Sequence, residues 1–131
     1  RCLVGSEMCI RDSSMPYLGY CKKEDTLYQH TRSFILSHHN PYYYQGTCAS
    51  GIGSPHTPKN YIRHIALSMQ GLTGTKEEAK KMINLILETS NNEGLCHEGF
   101  NKDEPSEYTR SWFAWANSLF AELVYQTYFV K

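Results

Sequence analysis

The sequence predicts an all-α protein, and two features of its apolar pattern lead to that prediction. Four segments, near residues 26–37, 58–72, 76–89 and 108–129, carry apolar residues at helical spacing. The first and third are apolar on one face, as surface helices are, whereas the second and fourth are apolar almost all round, as buried helices are. The order outer, inner, outer, inner predicts about two helical hairpins from a helical toroid.

Local signals predict where these helices begin. Asp25 is a suitable N-cap for the first helix. Thr57 followed by Pro58 predicts the start of the second, with Thr57 as the N-cap and proline at the first helical position. Thr75 and Glu78 predict a capping box before the third helix, in which the hydroxyl and the carboxylate satisfy opposing backbone donors.

Two long polar loops, residues 38–57 and 90–107, each connect an outer helix to an inner one. Because alternating helices run up and down, we expect both loops at the same end of the bundle, with His56 and the pair His97-Glu98 on one rim. Long loops in compact domains are often functional. Glu98 beside a histidine is therefore a candidate catalytic base, and a solvated loop carboxylate is the alternative interpretation.

Composition limits the classes of partner. The 131 residues suit one domain, and 13 basic residues balance 13 acidic ones without a basic stripe, so we predict no nucleic-acid partner. The longest apolar run, residues 112–130, is interrupted by polar side chains, so we predict no membrane span. Ten Tyr, five Phe and two Trp offer flat apolar faces for a binding site.

The cysteines and histidines do not predict a metal site or a cofactor. Cys21, Cys48 and Cys96 match no zinc or redox spacing, and we interpret them as buried free thiols. His38 and His39 are adjacent, which is not the spacing of zinc ligands.

A series of long motifs runs through the chain from residue 14 onward. They are Met15-Pro16-Tyr17-Leu18-Gly19-Tyr20, Asn40-Pro41-Tyr42-Tyr43-Tyr44, Gly51-Ile52-Gly53-Ser54-Pro55-His56-Thr57-Pro58, His64-Ile65-Ala66-Leu67-Ser68-Met69-Gln70, His97-Glu98-Gly99-Phe100 and Trp112-Phe113-Ala114-Trp115-Ala116-Asn117-Ser118-Leu119-Phe120-Ala121-Glu122-Leu123. In this order they resemble the C-terminal part of glycoside hydrolase family 125, the exo-acting α-mannosidases. The resemblance covers nearly all of this chain but only the last part of the family's catalytic domain.

The resemblance implies a C-terminal fragment of an (α/α)6 barrel and an inverting mechanism on non-reducing terminal α-1,6-linked mannose. It implies that Glu98 is the general base, and that the general acid is an Asp in the family's earlier portion, with no counterpart here. An inverting glycosidase uses two carboxyl groups roughly 6.5–9.5 Å apart, so that water fits between them. No metal is required for this chemistry.

The predicted substrate-binding residues surround Glu98. They are His56, Thr57, His97, Arg110 and Trp112. His97 or His56 would bind sugar hydroxyls or orient the water, and a structural hydrogen bond is the alternative for each. Arg110 has two interpretations, a clamp on a sugar hydroxyl or a partner of a carboxylate such as Glu107. Trp112 is expected to stack on a pyranose or to pack in the core.

Residues 3–13 resemble a translated transposase sequencing adapter, with a native N-terminus as the alternative. We therefore divide the chain into residues 1–13, a predicted artefact, and residues 14–131, predicted to be the C-terminal part of a glycoside hydrolase catalytic domain. The expected partners are a mannose-containing oligosaccharide or glycan and the missing N-terminal part of the same domain. No cellular compartment is predicted.

The main functional prediction is a piece of an α-mannosidase that is inactive alone, because the general acid lies upstream. The alternative, from a different class, is a non-catalytic carbohydrate-binding or structural α-helical module. Loss of turnover on replacing Glu98 in the completed enzyme would separate the two.

Overall fold

The computed structural model describes residues 19, 22, 25–54, 57–90 and 96–130. In chain order the elements are α1 (Thr26–Ile35), β1 (Tyr43–Gln45), β2 (Ser50–Ile52), β3 (Tyr61–Ile62), α2 (His64–Thr73), α3 (Lys76–Thr89), β4 (Gly99–Asn101), β5 (Tyr108–Thr109) and α4 (Ala114–Tyr128). The predicted helical class is confirmed, and short strands are added within the long loops. Residues 1–18, including the predicted adapter, lie outside the described residues.

The first helix begins where its cap predicts. The Asp25 carboxylate accepts a hydrogen bond from the backbone N–H of Leu27 at 3.0 Å, which satisfies one of the free donors of the first turn. At the other end, the Asn40 side chain donates to the carbonyl of Ile35 at 2.9 Å. This side-chain bond replaces the next turn of helix, so α1 ends slightly earlier than expected.

The capping box before α3 is half formed. The Thr75 hydroxyl accepts from the backbone N–H of Glu78 at 3.2 Å, as predicted. The prediction that the Glu78 carboxylate accepts from the backbone N–H of Thr75 is wrong. That carboxylate instead accepts from Arg32 on α1 and from Gln70 on α2, each at 3.0 Å. Glu78 therefore ties three helices together rather than closing its own helix end.

The predicted start of α2 at Thr57 is wrong. The helix begins at His64, and the chain before it forms β3. In β3, Tyr61 pairs with Asn101 and Ile62 pairs with Phe100. This pairing joins segments far apart in the sequence, so the local Thr-Pro signal could not reveal it.

Two small antiparallel sheets occupy the loops. Strands β1 and β2 form a hairpin in which Tyr43 pairs with Ile52. Strands β3, β4 and β5 form the second sheet, with β4 in the centre. The central strand follows directly after Glu98, so this sheet fixes the backbone next to the candidate base.

Helix α2 is the buried element of the bundle, as predicted. Eight of its ten residues are buried, and it packs against both α3 and α4. The main core also includes residues from the second sheet. Its buried members are Ala49, Ile62, Ile65, Leu67, Met69, Ala79, Met82, Ile83, Ile86, Cys96, Phe100, Ala116, Leu119 and Leu123.

Helix α4 differs from its prediction in two ways. It begins at Ala114 rather than near residue 108, because residues 108 and 109 form β5. Its buried residues also form one stripe, Ala116, Leu119, Leu123 and Thr127, so the prediction of all-round burial is wrong for this chain. Only α2 and α3 pack closely on it among the described helices. Within the same residues, no helix is long and apolar enough to cross a membrane.

The cysteines follow their prediction only in part. Cys48 and Cys96 are both free thiols, but Cys48 is exposed and Cys96 is buried. Burial raises the pKa of the Cys96 thiol to about 12, so this side chain is an uncharged core residue. Cys21 lies outside the described residues.

Candidate functional site

The two long loops meet at one end of the bundle, as predicted. The backbone N–H groups of Cys48 and Ala49 both donate to the carbonyl of Lys102, at 3.1 and 3.2 Å. The Thr47 N–H donates to the Asp103 carboxylate at 2.8 Å. A Cβ added to Gly46 would lie 2.5 Å from the Lys102 carbonyl oxygen, so a glycine is needed for this close approach.

Glu98 stands at the edge of the second sheet. Its backbone N–H donates to the carbonyl of Thr109 at 3.1 Å, which ties Glu98 to β5 one residue before β4 begins. Its side chain is 21 % exposed. The carboxylate is therefore accessible to water while the backbone that carries it is held on a rigid element, as a general base requires.

Arg110 is the cation beside this carboxylate. Its Nε atom lies 3.6 Å from a Glu98 carboxylate oxygen, and its side chain is 66 % exposed. An ion pair this open contributes at most about 1 kcal/mol to stability. Of the two interpretations of Arg110, the structure places it beside a carboxylate, but that carboxylate is Glu98. Glu107 instead accepts from the Asn101 side chain at 3.1 Å.

The backbone of Arg110 has a φ angle of +50°, in the left-handed region that few residues without glycine's freedom adopt. Such conformations persist only where surrounding contacts impose them, and they cluster at functional sites. Here the guanidinium also lies 5.8 Å from the centre of the Phe113 ring. Contact of Arg110 with a sugar hydroxyl stays a prediction.

His97 is completely buried, whereas a side chain that binds sugar would be expected to face solvent. Its ring stacks on Tyr108 with centroids 3.9 Å apart, and Nδ1 lies 3.2 Å from the carbonyl of Ser111. Since a carbonyl only accepts, Nδ1 donates the hydrogen of this bond. Among the described residues Nε2 has no hydrogen-bond partner. In this arrangement His97 supports the backbone of Glu98, and direct sugar contact stays a prediction.

His64, the first residue of α2, was not predicted as a site residue. It is completely buried, and its Nδ1 accepts from the backbone N–H of His97 at 2.9 Å. Its Nε2 lies 2.9 Å from the Thr89 hydroxyl at the end of α3. Burial, and next the neighbouring His97, lower the pKa of His64 to about 3. The sequence signal for it was a histidine directly before the apolar run Ile65-Ala66-Leu67.

Thr57 lies against the backbone of the candidate site. It is buried, and its hydroxyl donates to the carbonyl of Ser54 at 3.2 Å. A Cβ added to Gly99 would lie 3.2 Å from the Thr57 methyl carbon, so the two loops touch one residue after Glu98. A sugar contact by Thr57 stays a prediction. His56 lies outside the described residues.

Trp112 is 59 % exposed and lies two residues after Arg110. The core interpretation of this side chain is therefore wrong for the described structure, and stacking on a sugar stays a prediction. Trp115, one helical turn further, is 66 % exposed. Two indole faces thus lie open to solvent at the start of α4.

One other feature of the surface lies apart from Glu98. A concavity of about 560 Å³ opens at the far end of α2, lined by the α2–α3 turn and the end of α4. It contains none of the predicted site residues. Within the described ranges, no group of three or more His, Cys, Asp or Glu side chains is placed to hold a metal ion.

Known proteins similar to this chain include a family of α-mannosidases and a yeast protein. The profile of a family described as metal-independent α-mannosidases, glycoside hydrolase family 125, matches residues 13–125. The meiotically up-regulated gene 157 protein of Schizosaccharomyces pombe is 40 % identical over 113 residues, which cover 85 % of this chain and 22 % of the yeast protein.

A solved structure gives the same result in three dimensions. A metal-independent α-mannosidase of Streptococcus pneumoniae, in a non-productive complex with α-1,6-mannobiose, superposes with a TM-score of 0.89 at 47 % identity. The match covers 92 % of this chain and 28 % of the bacterial one, whose fold is an (α/α)6 barrel. The chain thus spans roughly a quarter of the length of the relatives it matches.

Proposed function

This chain belongs to glycoside hydrolase family 125, the metal-independent α-mannosidases, and from that premise we propose that Glu98 is the general base of an inverting mannosidase. The single observation that carries the proposal is the accessible carboxylate of Glu98 on a backbone held by the second sheet. In the proposed reaction, Glu98 takes a proton from water while the water attacks the anomeric carbon. A second carboxylic acid protonates the departing oxygen.

The proposed substrate is a glycan with non-reducing terminal α-1,6-linked mannose. Support comes from the bacterial relative, which was solved with α-1,6-mannobiose. The exposed indoles of Trp112 and Trp115 offer apolar faces of the kind that stack on a pyranose. Arg110, beside Glu98, would bind a hydroxyl of the same sugar or hold the Glu98 carboxylate in place when no sugar is bound.

The 131-residue chain alone is proposed to be inactive. The chain covers 28 % of the bacterial relative, and the family resemblance assigns the general acid to an earlier portion of the catalytic domain. Without a general acid the leaving oxygen would depart unprotonated, which forfeits a factor of about 10²–10⁴ in rate. Hydrolysis of an α-1,6-mannobioside by this chain alone would contradict the proposal.

The principal test is Glu98→Gln in a full-length protein, one that carries these residues and spans the whole length of the relatives. Because glutamine keeps the shape but cannot accept the proton from water, we expect kcat to fall by about 10²–10⁴-fold with the fold preserved. Glu104→Gln is the matched control, since Glu104 is an exposed carboxylate of the same loop. Turnover of Glu98→Gln equal to that of Glu104→Gln would favour the alternative in which this segment is a structural helical module.

A further inference from the structure

One buried imidazole contacts a residue on each side of Glu98. The Nδ1 atom of His64 accepts from the backbone N–H of His97 at 2.9 Å. The ring of His64 also packs on the rings of His97 and Phe100, with centroids 5.4 and 4.7 Å apart. His97 precedes Glu98 and Phe100 follows it by two residues, so His64 restrains the short segment that carries the candidate base.

The direction of the hydrogen bonds fixes the protonation of His64. Because a backbone N–H can only donate, Nδ1 of His64 must be the unprotonated nitrogen. The hydrogen then lies on Nε2, which donates to the Thr89 hydroxyl at 2.9 Å. The Thr89 hydroxyl donates in turn to the carbonyl of Leu85 at 2.8 Å. Each bond in this chain has one consistent direction, from His97 to the last turn of α3.

The side chain of Glu98 has little else to hold it. Its described polar contact is with Arg110, at 3.6 Å from an exposed guanidinium. The position of the carboxylate therefore depends on the backbone that carries it. That backbone is fixed at the Glu98 N–H by Thr109 and at the preceding N–H by His64. A reacting group must be placed within a fraction of an ångström of its productive position.

We propose that His64 is a positioning residue for Glu98, which acts by accepting the His97 backbone N–H through Nδ1 and thereby fixes where the carboxylate meets water and sugar. The proposal rests on the proposed role of Glu98. His64 is completely buried, so it acts on the base through the backbone of His97 and does not itself exchange protons. Its lowered pKa agrees with this, because a protonated Nδ1 could no longer accept the His97 N–H.

The test compares two amide substitutions of His64 in the full-length protein. In His64→Asn the amide group occupies the region of Nδ1 and can still accept from His97. In His64→Gln the amide extends toward the position of Nε2 and Thr89, and leaves the His97 N–H without its acceptor. If His64 positions the base, His64→Gln lowers kcat by about a hundredfold with little change in KM, since a misplacement of about 1 Å has that effect. We expect His64→Asn to restore most of the lost kcat.

A stability control separates positioning from simple packing. Met82→Ala removes a buried side chain from α3 beside Gly71, at the end of the bundle away from Glu98. It is expected to lower the melting temperature with kcat unchanged at a temperature where the protein is folded. If His64→Asn and His64→Gln lose kcat equally, or in proportion to their melting temperatures as Met82→Ala does, the positioning role is wrong.

The outcomes also separate the positioning role of His64 from the proposed role of Glu98 as general base. If Glu98→Gln retains turnover, the role of Glu98 fails and the positioning role fails with it. If Glu98→Gln loses turnover while His64→Gln keeps it, only the positioning role fails. Loss in both, with recovery in His64→Asn, supports both.

Discussion

Helices α2 and α4 have similar apolar patterns, with apolar residues on almost every side, yet the structure places them in different environments. In α2 eight of ten residues are buried between α3 and α4. In α4 one stripe is buried, while Trp115, Tyr125 and Tyr128 are exposed. An apolar pattern therefore predicts how much of a helix surface can be buried. The elements that pack against the helix determine how much of that surface is buried in the structure.

The two helices also differ in how their ends are held. The start of α2 is fixed by His64, and its last turn by Gln70, which donates to Glu78. The start of α4 is fixed by Asn117, whose side chain accepts from the backbone N–H of Cys96 at 3.0 Å. Polar contacts therefore fix α2 at both ends, and the segment that carries Glu98 is hydrogen-bonded to its start.

The largest expected difference between the helices is in the cost of removing a side chain. Leu67 on α2 is fully buried, so Leu67→Ala should lower the free energy of unfolding by about 2–5 kcal/mol. Trp115 on α4 is 66 % exposed, so Trp115→Ala should change it by no more than about 0.5 kcal/mol. Urea denaturation of the two variants measures both values. Similar losses would show that α4 is packed as closely as α2.

Acid should destabilise the protein through α2, because His64 is buried at its start. Its pKa is lowered from 6.5 to about 3 in the folded state, so the unfolded chain binds a proton between these values that the folded chain does not. Stability should therefore fall as the pH is lowered from about 6.5 toward 3, by up to about 1.4 kcal/mol per pH unit from this group. Urea unfolding across this range should show a smaller slope in His64→Asn. Identical slopes would contradict a neutral, buried His64.

A smaller effect is expected at the start of α4. Asn117→Ala removes the acceptor of the Cys96 N–H, and the loss of a buried hydrogen-bond partner costs about 1–3 kcal/mol. Hydrogen exchange of the Cys96 amide should accelerate, while the His97 amide, held by His64, should stay protected. Equal acceleration of both amides would show that the two helices do not hold this loop independently.

Much of the fold could be predicted from the sequence because its signals are local. The periodicity of α1 and α3, the caps Asp25 and Thr75, and the meeting of the two long loops are all confirmed. The strands could not be predicted, since two or three residues are too few for an alternating pattern to show. The start of α2 was wrong because β3 pairs with a segment distant in sequence.

For the candidate site, the sequence predicted which loop is involved but not how its residues are arranged. The motif around Glu98 contributed to the family resemblance, and the family match over residues 13–125 confirms the family, while the role of Glu98 stays a prediction. The exposed or buried state of each neighbour was not predictable: His97 is buried and Trp112 is exposed. His64 was missed because its role depends on a contact with His97, 33 residues away in the chain.

The central claim is that Glu98 activates water rather than attacking the sugar. Proton NMR of the full-length protein acting on an α-1,6-mannobioside, recorded during the first turnovers, tests it most directly. A general base delivers water to the face opposite the leaving group, so the first product should be β-mannose, which then equilibrates with the α form. Initial release of α-mannose would indicate a covalent intermediate and would contradict the role assigned to Glu98.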